Sequence, residues 1–161
     1  MFKKKVSMEE FVQAIYLLGW NQYNNLTTWF NAQNIEVNNN TMFFLCELII
    51  TKVMEKVSKE KGFKIKGNLT DEITQLLNKS ISPEISFDDK NYLKEYILVV
   101  KDDIRELIDD GNRKIIDLVD FFLDEISYNE VELDNIRVFL VNLFSDWQGL
   151  CYELISKIKI I

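Results

Sequence analysis

The sequence predicts an all-α fold, a compact bundle of about six to seven helices with a long C-terminal helix. Apolar residues recur at three- and four-residue spacing along most of the chain, which is the pattern of helices that bury one face. Residues that cap or break helices fall between these segments and leave short connections, which favours antiparallel neighbours. The length of 161 residues indicates a single domain over 1–161, with room for a weak subdivision near 80–86.

Two helices are predicted at the start of the chain. Ser7 with Glu10 three residues later is a capping-box pattern, so the first helix should begin there. We expect it to end near Gly19, and we expect a second, short helix over about 25–33.

A third helix is predicted from the asparagines at 38–40 to Lys61, because asparagine caps helix starts and Gly62 is a stop signal. Apolar residues cover most of its circumference in the first half, so we predict that this is the central buried helix. The segment 62–67 alternates apolar and basic residues but has no evident strand partner, and we predict a loop.

The middle of the chain contains the clearest linker. A fourth helix is predicted over about 70–79, and the only proline, Pro83, follows it. Ser86 can cap a long helix, which we expect to break near Gly111 and Asn112.

Beyond that break the apolar stripe continues over 115–126, and a last helix is predicted to begin near Glu130. At about 1.5 Å per residue this helix should be roughly 40 Å long. Gly149 is its expected weak point.

Composition excludes several classes of protein. The chain has no histidine, which removes histidine-based triads and histidine-ligated metal sites. It has no phosphate-binding glycine loop and no apolar run long enough to cross a membrane. Cys46 and Cys151 lie in apolar helical patterns and are predicted to be buried thiols, so the expected location is cytoplasmic. We therefore expect no cofactor, no metal and no membrane partner.

Charge is divided unevenly along the chain. The net charge is -7, with +3 over residues 1–67 and -10 over residues 68–161. The basic patch of the first part comprises the lysines at 3–5 and 52–66, in which Lys52, Lys56 and Lys59 share a helix face. We interpret this patch as a solvated helix end that complements the helix dipole, and we expect no direct contact with nucleic acid.

Six carboxylates of the second half form the first candidate binding site. They repeat at helical spacing: Asp103, Glu106, Asp110, Asp117, Asp120 and Asp124. On one continuous helix they would form a single stripe, and such a row attracts a basic surface and speeds encounter with it. The alternative is the ordinary charged outer face of amphipathic helices.

Residues 11–35 contain no charged side chain, and this segment is the second candidate site. Aromatic residues alternate there with neutral amides, a composition typical of protein interface cores. The candidate anchors are Trp20, Tyr23, Trp29 and Phe30. The alternative is that these rings fill the domain core while the amides cap helices and turns.

Together these features predict a small acidic module that is not an enzyme and that binds another protein with a basic surface. It would act as an inhibitor or immunity-type antagonist of a toxin or a nucleic-acid-processing enzyme. Two alternatives stay open. Asp117 and Asp120 resemble one of the paired-carboxylate motifs of all-α nucleotide pyrophosphatases, which implies a magnesium-dependent hydrolase. A homo-oligomeric structural subunit would instead pack its uncharged front segment against copies of itself.

Overall fold

A computed structural model describes residues 3–80, 87–110, 113–128 and 134–161. Within these ranges it contains six helices and one two-stranded parallel sheet, so the predicted all-α bundle is confirmed. The helices are α1 Met8–Ala32, α2 Asn39–Lys61, α3 Leu69–Ser80, α4 Phe87–Asp109, α5 Ile115–Ile126 and α6 Asp134–Ser156. The strands are β1 Lys4–Val6 and β2 Ile158–Ile160.

Helix α2 is the central element, as predicted. Every residue over 41–50 is buried, and α2 packs against α1, α3, α4, α5 and α6. The Asn38 side chain caps its start by accepting a 3.1 Å hydrogen bond from the Thr41 amide. It ends at Gly62, whose φ of 66° lies in the left-handed region that glycine adopts without a side-chain clash.

Helix α1 corrects two predictions. The capping box of Ser7 and Glu10 is present, but the helix does not end near Gly19, and residues 25–33 do not form a separate helix. One helix of 25 residues runs to Ala32 and ends where Asn34 takes a φ of 57°. Asparagine tolerates this left-handed conformation, so the stop signal is Asn34.

Gly19 serves tertiary packing and does not terminate a helix. Its buried α-carbon lies against the side chain of Glu47 on α2, and an added methyl group at Gly19 would overlap that carboxyl group. Glu47 itself has no exposed surface, and neither of its carboxyl oxygens has a hydrogen-bond partner among the described residues. The missing side chain of Gly19 therefore provides the space for a carboxyl group inside the α1–α2 contact.

The later helices follow the predicted order. Helix α3 matches the prediction over 70–79. The long helix predicted after the linker ends at Asp109, and the next begins at Ile115, as expected. Helix α6 continues through Gly149, so that glycine does not interrupt it. The predicted linker, the weak subdivision near 80–86, the Ser86 cap, the glycine–asparagine pair at 111–112 and the start near Glu130 lie outside the described residues.

The sheet joins the two ends of the chain, and sequence analysis missed it. Lys4 lies opposite Ile158 and Val6 opposite Ile160, with a 2.9 Å bond from the Lys4 amide to the Lys157 carbonyl. The side chains of Ile158 and Ile160 are buried, whereas Lys159 is exposed. None of the described helices combines the length and apolar character needed to cross a bilayer.

We predict opposite effects for alanine at the two helical glycines. Gly19→Ala should lower the free energy of unfolding by about 1–3 kcal/mol, because the new methyl group overfills a packed contact. Gly149→Ala is the matched control, since nothing lies within 4 Å of its added carbon. It should raise that free energy by about 0.5–1 kcal/mol through better helix propensity. Urea unfolding of both variants measures the difference.

The destabilisation by Gly19→Ala should come from overlap with the Glu47 carboxyl group. In a Glu47→Ala background, Gly19→Ala should therefore cost much less than in the natural chain, because the overlapping group is gone. Equal costs in both backgrounds would contradict the packing described for α1 and α2.

Candidate functional site

The six candidate carboxylates do not form one continuous stripe. Helix α4 ends at Asp109 and α5 begins at Ile115, so the continuous helix that the stripe required is absent. Asp103 and Glu106 lie near the end of α4 and Asp110 directly follows that helix, whereas Asp117, Asp120 and Asp124 lie on α5. The sequence spacing was correct within each helix but could not show that the chain turns between them.

Three of these carboxylates have partners within the fold. Asp117 accepts a 3.1 Å hydrogen bond from the Lys114 amide at the start of α5. Asp120 forms a 2.9 Å ion pair with Arg137 of α6. Asp110 lies 3.8 Å from the Arg113 guanidinium. These groups therefore cap a helix or neutralise a neighbouring cation, and they offer less charge to a partner.

Asp103, Glu106 and Asp124 are exposed, and no ion pair joins them to another described residue. The first two lie on the outer surface of α4, three residues apart, and therefore on one side of the helix. Near them, the negative charge of Asp102 is partly neutralised by the Arg105 guanidinium, which lies 3.5 Å from its carboxylate. Of the predicted acidic stripe, the residues that remain available are Asp103 and Glu106 on α4 and, separately, Asp124 on α5.

The same side of α4 exposes apolar residues that sequence analysis missed. Tyr92 and Val99 are each 66% exposed, and Val99 lies seven residues after Tyr92 and four before Asp103, which places all three on one side. Leu98 is 52% exposed but lies about 140° around the helix from Asp103, on the side of Arg105. The opposite side of the helix is fully occupied by the core, through Ile97, Val100, Ile104 and Ile108. We call this side the acidic–apolar face of α4, defined by Tyr92, Val99, Asp103 and Glu106.

A sequence signal for this face existed. Residues 97–100 are four consecutive apolar residues, and a helix cannot turn all four toward one core. Only the first and last of them are buried, so the middle two must lie outside. The stripe at three- and four-residue spacing was correctly identified, but the two apolar residues outside it, Leu98 and Val99, were not recognised as exposed.

Tyr92 is held in place by a chain of contacts. Its ring stacks on that of Tyr96, with 6.3 Å between centroids. The Tyr96 hydroxyl donates a 2.7 Å hydrogen bond to Glu125 of α5. Burial and this bond to a carboxylate raise the pKa of Tyr96, so its hydroxyl stays protonated and continues to donate. The stacking on Tyr96, which is itself bonded to Glu125, thus restricts the position of the exposed Tyr92 ring.

The four candidate rings of the uncharged segment divide into two groups. Phe30 is buried, and Trp29 stacks on Phe139 of α6 with 4.0 Å between parallel ring centroids. Both of these rings pack α1 against the rest of the fold. Trp20 is 42% exposed and Tyr23 is half-buried, and each ring lies 5.3 Å from that of Phe43 on α2.

The exposed part of α1 is a second, uncharged surface. Leu17 is 56% exposed, three residues before Trp20 on the same side of the helix. Together they form the outer surface of α1 in a stretch without any charged side chain. This surface is smaller than the aromatic composition suggested, because Phe30 is buried and Trp29 is partly buried against Phe139.

Burial shifts the pKa of three further ionisable groups, those of Glu47, Cys46 and Cys151. Burial raises the pKa of Glu47 to about 9, so its carboxyl group is protonated at neutral pH. Burial raises the pKa of Cys46, with a contribution from Glu47, and that of Cys151 to about 12, which makes both thiols weak nucleophiles. Both cysteines are unpaired. The described residues contain no cluster of three side chains that could hold a metal ion.

No protein-family model, curated protein sequence or solved structure matches this chain.

The protonated state of Glu47 predicts an unusual pH dependence of stability. In the unfolded chain this carboxyl group ionises around its ordinary value of 4.5, whereas in the folded chain it ionises at about 9. Between these values the folded state binds one proton more, so stability falls as pH rises, by up to about 1.4 kcal/mol per pH unit. Below the lower value the contribution is fully present, and above the higher value it is lost.

Urea unfolding at a series of pH values measures this slope. Glu47→Gln, which cannot ionise, should remove the Glu47 contribution to it. Glu95→Gln is the matched control, because Glu95 is exposed on α4 and should leave the slope unchanged. If the free energy of unfolding depends on pH in the same way for the natural chain and for Glu47→Gln, the carboxyl group of Glu47 is not buried and neutral.

Proposed function

We propose that this protein acts by binding another protein, and that the partner docks a basic and apolar surface on the acidic–apolar face of α4. The observation that carries the proposal is the exposure of Tyr92 and Val99 on the same side of one helix as Asp103 and Glu106. Exposed apolar side chains beside unpaired charges are the composition of a contact surface.

The two halves of this face have different physical roles. Burying an apolar side chain such as that of Val99 contributes about 1.5–3 kcal/mol, so Val99 and the neighbouring ring of Tyr92 supply affinity. Asp103 and Glu106 supply attraction over distance and correct orientation, and they exclude partners with an acidic surface. From Tyr92 to Glu106 the face is about 21 Å long at 1.5 Å per residue, a length that suits a helix lying in a groove.

A partner with a basic groove fits this chemistry. Proteins that bind nucleic acid carry such grooves, since they neutralise phosphates with lysine and arginine. We propose that the chain occupies the groove of a nucleic-acid-processing enzyme or a toxin, as an inhibitor or immunity-type antagonist. Two buried, unpaired thiols suit a reducing compartment, so we propose a cytoplasmic location.

One alternative function has an observation of its own. Leu17 and Trp20 are exposed on the uncharged surface of α1, and self-association there would bury both. A magnesium-dependent hydrolase has weaker support, because Asp117 caps α5 and Asp120 pairs with Arg137. The two contact surfaces lie on different helices, so variants can separate binding of a partner from self-association.

Reversing the charges on α4 should weaken binding. We predict that Asp103→Lys with Glu106→Lys lowers capture of the partner from native host lysate by about tenfold or more, and reduces its salt dependence. The control pair, Glu72→Lys with Asp146→Lys, makes the same change of charge at exposed positions on α3 and α6 and should retain capture. Quantitative mass spectrometry at low and high salt provides the readout.

A crosslinking amino acid tests the same surface without a change of charge. A benzophenone side chain at Val99 should crosslink the captured protein, whereas one at Leu17 should not. Crosslinking from Leu17 to a second copy of the chain would instead favour self-association. Capture that both charge-reversed pairs retain equally would overturn the proposed role of α4.

A further inference from the structure

The short sheet brings lysines from three parts of the chain to one groove. The groove has a volume of about 1050 Å³ and lies between β2 and the segment 62–66 that follows α2. Its rim carries five exposed lysines: Lys3, Lys61, Lys64, Lys66 and Lys159. Its size reaches the upper end of the range for ligand sites.

This basic groove differs from the lysine patch inferred from sequence. Lys52 is buried and pairs with Glu55 at 3.3 Å, and the Lys56 ammonium donates a 3.2 Å hydrogen bond to the Ile108 carbonyl. Those two side chains therefore contribute to the fold. Lys159 joins the remaining lysines only because β2 pairs with β1, a contact that the sequence did not reveal.

The groove is locally positive on a chain that is acidic overall. Among the described residues that line it, Glu153 is the single carboxylate, and Lys157 holds it in a 2.8 Å ion pair. The net charge of the whole chain is -7. Five lysines gathered against that background attract an acidic occupant.

One strand edge faces this groove. In a parallel pair, alternate residues of a strand direct their amide and carbonyl groups to opposite sides. The Lys157 carbonyl and the Ile161 amide form backbone hydrogen bonds to β1, and Lys159 lies midway between these two residues. Because the direction alternates along the strand, the amide and carbonyl groups of Ile158 and Ile160 point away from β1. All three residues of β2 line the groove, whereas β1 contributes none of its three. An unpaired strand edge is a template for another strand.

We propose that the basic groove binds an extended acidic peptide segment of a partner protein, which adds to β2 as a further strand. The amide and carbonyl groups of Ile158 and Ile160 bond to its backbone, as in other cases of strand addition. Its apolar side chains contact the aliphatic side chains that line the groove, and its carboxylates meet Lys64 and Lys66. This site is separate from the face of α4 and does not depend on the proposed function.

The lining favours a peptide over single-stranded nucleic acid. Strands of nucleic acid bind through exposed aromatic rings on which bases stack. Here the Tyr152 ring is covered by the Lys61 ammonium at 5.1 Å, and its hydroxyl donates to Glu60 at 2.5 Å. Phe63 also lines the groove, and its half-buried ring packs against that of Phe11 with 5.5 Å between centroids. The rest of the apolar lining is aliphatic, from Ile155 and the isoleucines of β2, and suits alternating aliphatic side chains.

Fluorescence anisotropy with defined probes tests the site on the full chain. The probe is a short labelled peptide that alternates glutamate and valine, and an isomer with its glutamates and valines in two blocks is the comparison. The alternating peptide should bind about tenfold or more tightly than the block isomer, because only alternation serves both faces of a strand. Equal affinity for the two peptides, or no binding of either, would overturn the proposal.

Two sets of variants separate charge from strand pairing. Lys64→Glu with Lys66→Glu should weaken binding by about tenfold or more, whereas the control, Lys79→Glu with Lys94→Glu, changes exposed lysines elsewhere and should not. Methylating the backbone nitrogens of the valines or of the glutamates blocks opposite edges of the peptide, so one pattern should abolish binding and the other retain it.

If both methylated peptides bind like the parent, strand addition is wrong. If an oligothymidylate displaces the peptide and binds more tightly, the groove belongs to nucleic acid and the proposal is overturned. Asp103→Lys with Glu106→Lys should leave peptide binding unchanged, so failure of this proposal is distinguishable from failure of the proposed function.

Discussion

The complete burial of the first half of α2 is the constraint on which the rest of the structure depends. Ten consecutive residues over 41–50 are buried, so the helix must be enclosed from every side, and five other helices enclose it. One of the ten is Glu47, a carboxyl group without a partner among the described residues. A buried charge without a partner is very costly, so the group stays neutral, and Gly19 leaves the room it needs.

This enclosure also explains where the candidate surfaces lie. Because α2 provides contacts in every direction, each surrounding helix needs only one apolar side to join the core. Apolar residues beyond that side remain outside, as Leu98 and Val99 do on α4 and Leu17 does on α1. The pairing of the chain ends adds a third surface at one end of α2, around Lys61. The acidic–apolar face of α4 and the basic groove therefore carry opposite charges.

Local signals predicted much of the fold. The Asn38 cap, the Gly62 stop and the apolar circumference located α2, because caps and amphipathicity are properties of neighbouring residues. The helix end predicted near Gly19 was wrong, because in a sequence a glycine required by a tertiary contact looks the same as one that ends a helix. The sheet was invisible, since two strands of three residues from opposite ends of the chain leave no periodic pattern. The spacing of the carboxylates on α4 and α5 could be read from the sequence. The pairing of Asp120 with Arg137 could not, because it depends on how α5 packs against α6.

The most direct test of this account is the ionisation of Glu47 in the folded protein. Carbon-13 NMR of the glutamate side-chain carboxyl groups follows each titration, and Glu47→Gln assigns the signal of interest. A helix enclosed on all sides predicts that this one carboxyl group titrates with a pKa of about 9. If it instead titrates near 4.5 like an exposed glutamate, then water reaches the middle of α2, and the enclosed core described here is wrong.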